Sequence, residues 1–298
     1  MKIHIHGGQL GFLTPIMDIL GKTHTITYSP DYVNPTKPEV DVVWFEWADN
    51  NVANFTKENV DYLKDKNVIV RLHAVEAYVG WFHNINWEVV NHLIVVAEHI
   101  KEKVITHIPD NVKVHVIPNA IDLDKWTYKC RSNGKNIAIV GHFQADKGAL
   151  MVPHIMSIMS SCHFHIAGVP RLGPKTRPGE YFDHVIEPMK NRITFYGHVL
   201  DLDEWYEKCA INYLVCPSLS ESFNLSIGEA MAKGIKPIIN NFLGSQKLWM
   251  TDTIYSTVDK IPDILSSKYD SASYRKWIVD KYDLNKIIKL IEEVIINK

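Results

Sequence analysis

Short apolar runs alternate with segments of helical period along almost the whole chain. In the first part the runs are "KIHIH", "HTITYS", "VDVVWFEW", "NVIVRLH", "HLIVVA" and "KVHVIP". In the second they are "NIAIVG", "HFHIAG", "RITFYG", "INYLVCPS" and "KPIIN", and intervening segments such as "DEWYEKCA" and "SIGEAMAKG" read as helices. Apolar strands separated by helices predict parallel sheets covered on both faces, the α/β class of doubly wound domains. The two halves repeat this scheme without repeating a sequence, and no short-period repeat or low-complexity stretch interrupts it.

The segment "PNAIDLDKWTYKCRSNGKN", with Pro118 at its start and Gly134 near its end, has neither period, and the domain boundary is placed there. The expected organisation is a first Rossmann-like domain over 1–118, a connector over 119–135, a second domain over 136–270, and C-terminal helices over 271–298. The last helix carries an apolar stripe of Ile287, Ile288, Leu290, Ile291, Val294 and Ile295, which needs a core to pack on. Two such domains are expected to leave a cleft at the carboxyl ends of their strands, where ligands bind.

Composition narrows the partners. The chain has 298 residues, 46% hydrophobic and 22% charged, with a net charge of −2, so no overall basic excess draws it to nucleic acid or an anionic membrane. Its 4 cysteines, Cys130, Cys162, Cys209 and Cys216, form no CxxC pair, which fits reduced thiols and a cytoplasmic location. "KIHIHGGQLGFLTPIMDIL" is too broken for a signal peptide, and no apolar run reaches the ~18–20 residues of a spanning helix.

Candidate chemistry sits at strand ends. After "INYLVCPS" the polar segment up to Asn224 leads into a helix that Gly234 can terminate, so the amides from Phe223 to Ser226 form an unpaired first turn suited to phosphate. Glu221 precedes that turn and Glu229 lies inside the helix; each, taken alone, reads as a solvated acid. "NIAIVGHFQADKG" is a strand, a glycine turn, then Lys147 and Gly148 entering a helix. A cation is disfavoured in a helix's first turn, so Lys147 points to a diphosphate, a charge-assisted bond worth roughly 1.5–3 kcal/mol. In "NVIVRLHAVEAY" alternation sends Arg71 and His73 to one side of a strand end, followed by Glu76, a possible partner of Arg71. Gly7 and Gly8 can bring backbone close to a ligand, though no GxGxxG is present. Trp44, Phe45 and Trp47 read as core.

The ordered set "VHVIPNAIDLDKW", "IVGHFQADKG", "HIAG", "ITFYGHV" and "PSLSESFNLSIGEAMAKGIKPIIN" spans most of residues 112–245. It resembles the retaining GT-B glycosyltransferases of the Glu-x7-Glu type (family 4-like, "glycosyl transferases group 1"), here with "ESFNLSIGE". The resemblance implies two Rossmann-like domains facing a cleft, the first taking the acceptor and the second a nucleotide sugar, with the C-terminal helix returning to the first. It implies transfer of a sugar from a nucleotide diphosphate sugar, a UDP-sugar foremost, to an acceptor hydroxyl with retention. By the same resemblance Glu221 binds hydroxyls of the donor sugar and Glu229 those of the ribose, while amides at Phe223, Asn224 and Leu225 contact the diphosphate or sugar. The base lies against His198 and Val199, His73 reaches the donor sugar, and Gly8 approaches the donor phosphate. Glu221, His73 and Lys147 form the catalytic set. Glu46 and Asp49, at another strand end, are placed toward the acceptor.

One departure stands out: the family's arginine after the turn glycine is here His142, following Gly141. We expect His142 to replace it partly as the imidazolium, or part of the charge to come from Arg71. No cofactor and no metal are expected. The "DLD" at 122–124 lies in the connector, and that at 201–203 reads as a helix cap. The 15 histidines show no paired ligand spacing on one helix. The acceptor stays open among a saccharide, a lipid-linked glycan, a protein and a modified DNA base. The alternative outside enzymes is a non-catalytic sugar-nucleotide sensor.

Overall fold

A computed structural model describes residues 1–7, 11, 13–30, 37–173 and 175–297. Gly8, expected near the donor phosphate, lies outside them. The chain divides into two units, Met1–Ala120 with Tyr282–Lys298, and Ile121–Lys281, each built on one six-stranded parallel sheet.

The first sheet consists of β1 (Lys2–His6), β2 (Thr25–Ser29), β3 (Val42–Glu46), β4 (Asn67–Leu72), β5 (His92–Val95) and β6 (Lys113–Val116), in the order β2-β1-β3-β4-β5-β6. β3 and β4 are buried along their whole length, which explains why they read as unbroken apolar runs rather than alternating ones. The strand order reverses between β1 and β3. There the backbones close tightly: a Cβ on Gly7 would lie 2.8 Å from Cβ of Glu46.

The helix Leu284–Ile296 completes this core. Ile287, Ile288, Ile291, Val294 and Ile295 pack with Ile3, Ile5, Trp44, Ile69 and Ile94. Each such side chain contributes roughly 1.5–3 kcal/mol of transfer free energy, which fixes the chain end to this unit. Leu290, counted in the stripe from its spacing, is instead on the solvent side, 41% exposed. Asn67 Nδ2 donates to the carbonyls of Val294 (3.2 Å) and Ile295 (3.0 Å), satisfying the helix end. The preceding helix, Ser271–Lys281, does not accompany it as the sequence suggested. It lies in the second unit against the helix Leu225–Ala232, because Asp283 restarts the chain as a new N-cap, accepting from Asn285 N at 2.8 Å.

The second sheet consists of β7 (Asn136–Val140), β8 (His163–Ala167), β9 (Ile193–Gly197), β10 (Tyr213–Cys216), β11 (Lys236–Asn240) and β12 (Ile254–Tyr255), in the order β12-β11-β10-β7-β8-β9. Counted from its own first strand this is the 3-2-1-4-5-6 order of mononucleotide-binding sheets, which reverses between β7 and β10. The two-residue β12 has no period to read. Ile137, Ile139, Phe164, Ile166, Val215 and Ile238 form the core with Val152, Ile155, Met156, Phe182 and Ile186.

The connector from Ile121 is tied into this unit. Arg275 donates to the carbonyls of Leu123, Trp126 and Ala232, and the buried Lys233 pairs with Asp203 at 2.5 Å and Glu207 at 3.1 Å. Of the second "DLD", Asp201 caps the helix Leu202–Lys208 by accepting from Glu204 N at 2.9 Å. No helix among the described residues is long and apolar enough to cross a membrane.

Candidate functional site

The reversal between β7 and β10 opens a cavity of about 230 Å³, lined by residues 139–143 from β7, 214–218 from β10, Lys147, Glu221 and residues 224–226. Two glycines shape it. Gly141 turns the chain out of β7 at φ 130°, and Gly148, at φ 75°, brings its backbone so close to β10 that a Cβ would fall 1.9 Å from the Pro217 carbonyl oxygen. Lys147 sits on the turn before the 3₁₀ segment Ala149–Met151, and the α-helix starts only at Val152. It is therefore not a first-turn residue, and the dipole argument that favoured a ligand role does not apply to it.

Lys147 Nζ donates to Glu221 Oε1 at 2.8 Å, and Asn224 Nδ2 donates to the same oxygen at 3.0 Å and to Cys216 Sγ at 3.3 Å. Asn224 holds a left-handed backbone, φ 70°, immediately before the helix Leu225–Ala232. That conformation costs an asparagine less than most residues, and its side-chain bonds hold it. Ser226 Oγ donates to the Val140 carbonyl at 3.3 Å, fastening the helix start to β7. The first-turn amides, which no helix can satisfy internally, belong to this end. Burial pushes the Cys216 thiol up to about 12, so it stays a neutral thiol.

The structure thus brings together His142, Lys147, Glu221, Asn224 and Leu225. Glu229, His198, Val199 and Phe223 do not line this cavity. Phe223 is fully buried with its ring 5.0 Å from that of Trp249, so only its backbone could serve a ligand. His198 is exposed and Val199 half-buried, just past β9. Glu229 is half-buried inside the helix, and desolvation pushes its carboxyl up to about 7 against a smaller pull from Lys125. His142 is held below the usual histidine range by partial desolvation, then by the charges of Arg171 and Lys147. The expected imidazolium is therefore disfavoured in the free protein.

In the first unit the charged residues meet at Glu46, which is fully buried. Its Oε1 lies 2.7 Å from His73 Nε2 and 3.4 Å from Arg71 Nη1, and its Oε2 accepts from Trp44 Nε1 at 2.9 Å. Burial would raise this carboxyl, but Arg71, His73 and Trp44 together hold it below the ordinary value. With Glu46 ionised, Nε2 of His73 carries the proton of that bond. The His73 ring is 4.4 Å from that of Trp47.

Three expectations are corrected here. Arg71 is fully buried, its ion-pair partner is Glu46 rather than Glu76, and its Nη2 donates to Asn119 at 2.6 Å. Glu76 is buried and accepts from Ala48 N at 3.2 Å, with its carboxyl raised by burial. Glu46 is an internal counter-ion, and Asp49 is the N-cap of the helix Asn50–Glu58, not a free acid. Trp44 and Phe45 are core as expected, whereas Trp47 is half-buried, at φ 82°, because the chain turns there after β3.

Sequence reasoning missed the side chain of Asn224, the centre at Glu46, and Arg171. The first could be suspected from asparagine at a helix start; the others depend on contacts between strands far apart in sequence. Among the described residues no group of three or more His, Cys, Asp or Glu is arranged to hold a metal ion.

Residues 134–263 match the family model described as Glycosyl transferases group 1. No curated protein sequence is a match. Among solved structures, HepE (Alr3699) of Anabaena in complex with UDP superposes with a TM-score of 0.78 at 12% identity, covering 100% of both chains. Sucrose-phosphate synthase of Thermosynechococcus elongatus gives 0.75 at 12% identity, covering 99% of this chain and 98% of that one. The lipopolysaccharide outer core galactosyltransferase WaaB gives 0.74 at 15% identity, covering 99% of each. At these identities the likeness speaks for the fold. Residues 134–263, within the second unit, are thus similar to the Glycosyl transferases group 1 family, and the chain as a whole has the GT-B fold.

Proposed function

We propose that this protein transfers a sugar from a UDP-sugar to an acceptor hydroxyl with retention of configuration, without a metal ion. The observation that carries the proposal is the meeting of Lys147, Glu221 and Asn224 at the β7/β10 reversal, beside a helix N-terminus, within the residues that match the family model. HepE, one of the similar folds, has been solved with UDP and with UDP-glucose.

On this reading donor binding exchanges partners. Lys147 leaves Glu221 for the diphosphate, and Glu221 turns to hydroxyls of the donor sugar. The amides of Leu225 and Ser226 face the oxygens on which negative charge grows as the bond to the sugar breaks, the position where preorganised donors lower a barrier most. Glu229 accepts from the ribose hydroxyls. The acceptor attacks from the face the nucleotide leaves, and the departing phosphate takes its proton, so no protein nucleophile is assigned.

A thermal-shift panel of nucleotide sugars, followed by an assay of UDP release without acceptor, tests this. Stabilisation by one UDP-sugar with slow release is expected, unaffected by EDTA, and the anomeric proton coupling of the product reports retention. Tight binding without turnover under every acceptor would instead make the chain a sensor. Activity lost to EDTA and restored by magnesium would overturn the metal-free assignment.

A further inference from the structure

The pair expected to neutralise the diphosphate is incomplete in this chain. The residue after Gly141 is His142, whose imidazole is held toward neutrality, and Arg71 is locked to Glu46 inside the first unit. In the second unit Arg131 donates to the Ile211 carbonyl, Arg192 to those of Met156 and Met159, and Arg275 to those of Trp126 and Ala232, while Arg177 is exposed at the start of the helix Arg177–Ile186.

Arg171 differs. Beyond the end of the sheet the chain from β7 and the chain from β8 stay paired. Gly141 N donates to the Ala167 carbonyl at 2.9 Å, Phe143 N to Val169 at 3.1 Å, and Arg171 N to Phe143 at 2.8 Å, around a parallel bridge between Phe143 and Pro170. This extension requires glycine: a Cβ on Gly168 would lie 1.7 Å from the Gly141 carbonyl oxygen. Because side chains alternate along paired strands, His142 and Arg171 lie on the face opposite Phe143 and Pro170, with Val169 across from His142 and Arg171 two positions further on, where Arg171 also borders a neighbouring cavity with Phe143, Phe182 and Phe195. Of the charges acting on His142, that of Arg171 is the largest, ahead of Lys147. Arg171 is exposed and has no ion pair among the described residues.

We propose that Arg171, presented from the β8 extension beside His142, binds the diphosphate of the nucleotide together with Lys147, supplying from a second strand the guanidinium absent after Gly141. The inference rests on the nucleotide-sugar reading above. A guanidinium offers a planar fork to two phosphate oxygens at once, which neither a lysine nor a neutral imidazole can do. Its separation by 30 positions from the turn that needs it explains why no local motif shows it.

The test is calorimetric titration of the full chain with UDP and with uridine, for wild type, Arg171→Gln and Arg171→Gln/His142→Arg, each checked for an unchanged melting curve. Arg171→Gln is expected to weaken UDP at least tenfold and leave uridine within twofold. The added His142→Arg is expected to recover most of the loss by restoring a guanidinium from the neighbouring strand. UDP affinity unchanged in Arg171→Gln, or uridine weakened as much as UDP, overturns the role of Arg171 while leaving the nucleotide site standing. A wild type that binds neither UDP nor uridine overturns the site itself, and this inference with it.

Discussion

Lys147 and Glu221, 74 positions apart in sequence, meet through a 2.8 Å bond from Nζ to Oε1 at the reversal between β7 and β10. The pair is partly exposed, 35% at Lys147 and 11% at Glu221. Exposed pairs are worth at most about 1 kcal/mol of stability, so this one is better placed to exchange partners than to hold the fold.

Lys147→Ala and Glu221→Ala are therefore expected to leave the melting temperature nearly unchanged while each lowers kcat/KM at least tenfold, about 1.4 kcal/mol or more. Because the two side chains are bonded to each other, the double variant is expected to lose less than the sum of the singles. Steady-state kinetics with differential scanning fluorimetry checks this; near-normal turnover in either single variant would count against the site.

Two groups are expected to give donor binding opposed pH dependences. The Glu229 carboxyl, at about 7, is favoured in its ionised form by hydroxyl donors, so binding releases a proton and affinity rises from pH 6 to 8. His142, held below its usual value, is favoured as the imidazolium by phosphate, so binding takes up a proton and affinity falls as pH rises. Uridine, which carries base and ribose but no phosphate, is expected to show the first limb alone, and Glu229→Gln to abolish it. His142→Arg is expected to remove the second limb from UDP. Titrations in buffers of different ionisation enthalpy count the protons; a flat uridine profile in the wild type contradicts the assignment to Glu229.

Glu229 also bears on stability. Its folded carboxyl titrates above the ordinary value of 4.5, so the native state is penalised as pH rises through the interval between 4.5 and about 7. Glu229→Gln is expected to raise the melting temperature at pH 8 and not at pH 4, which a pair of thermal scans decides.

Glu46→Gln is expected to destabilise the first unit by about 3–5 kcal/mol, because Arg71 would remain buried beside a neutral amide. The wild-type carboxyl is held below 4.5, so its contribution is complete above that value and is lost as pH falls through the lower folded value. Urea unfolding at pH 7 and pH 4 measures both. A variant as stable as the wild type at pH 7 would show that the cluster is dispensable.

Gly148→Ala combines a left-handed backbone with a Cβ 1.9 Å from the Pro217 oxygen. The turn must shift, and Lys147 with it. We expect KM for the donor to rise at least tenfold and the melting temperature to fall, whereas Gly197→Ala, at φ 65° but with nothing within 4 Å of the added carbon, keeps a donor KM near that of the wild type.

Much of this was legible along the chain. Eleven apolar runs coincide with β1 to β11, most clearly at β3, β4, β5 and β10, which are buried at every position; a strand covered on both faces is apolar along consecutive residues. The Glu221 and Glu229 spacing, Lys147 beside Gly148, and the apolar stripe of the last helix are likewise local patterns. Spacing alone could not assign Ser271–Lys281 to the second unit, since that depends on where Asp283 interrupts the helix.

What the tertiary structure decided is the pairing of charges. From sequence, Arg71 could answer Glu76 or reach toward a diphosphate, and Glu46 could face an acceptor. Parallel register sets Glu46 beside Arg71, and that pair is fully buried. It likewise pairs the β8 extension with the β7 turn, placing Arg171 on the same face as His142. A parallel sheet joins strands that are neighbours in space through crossovers of many residues. The partner of a charge at one strand end is therefore chosen by strand order and register, and neither is written in the segment that carries the charge.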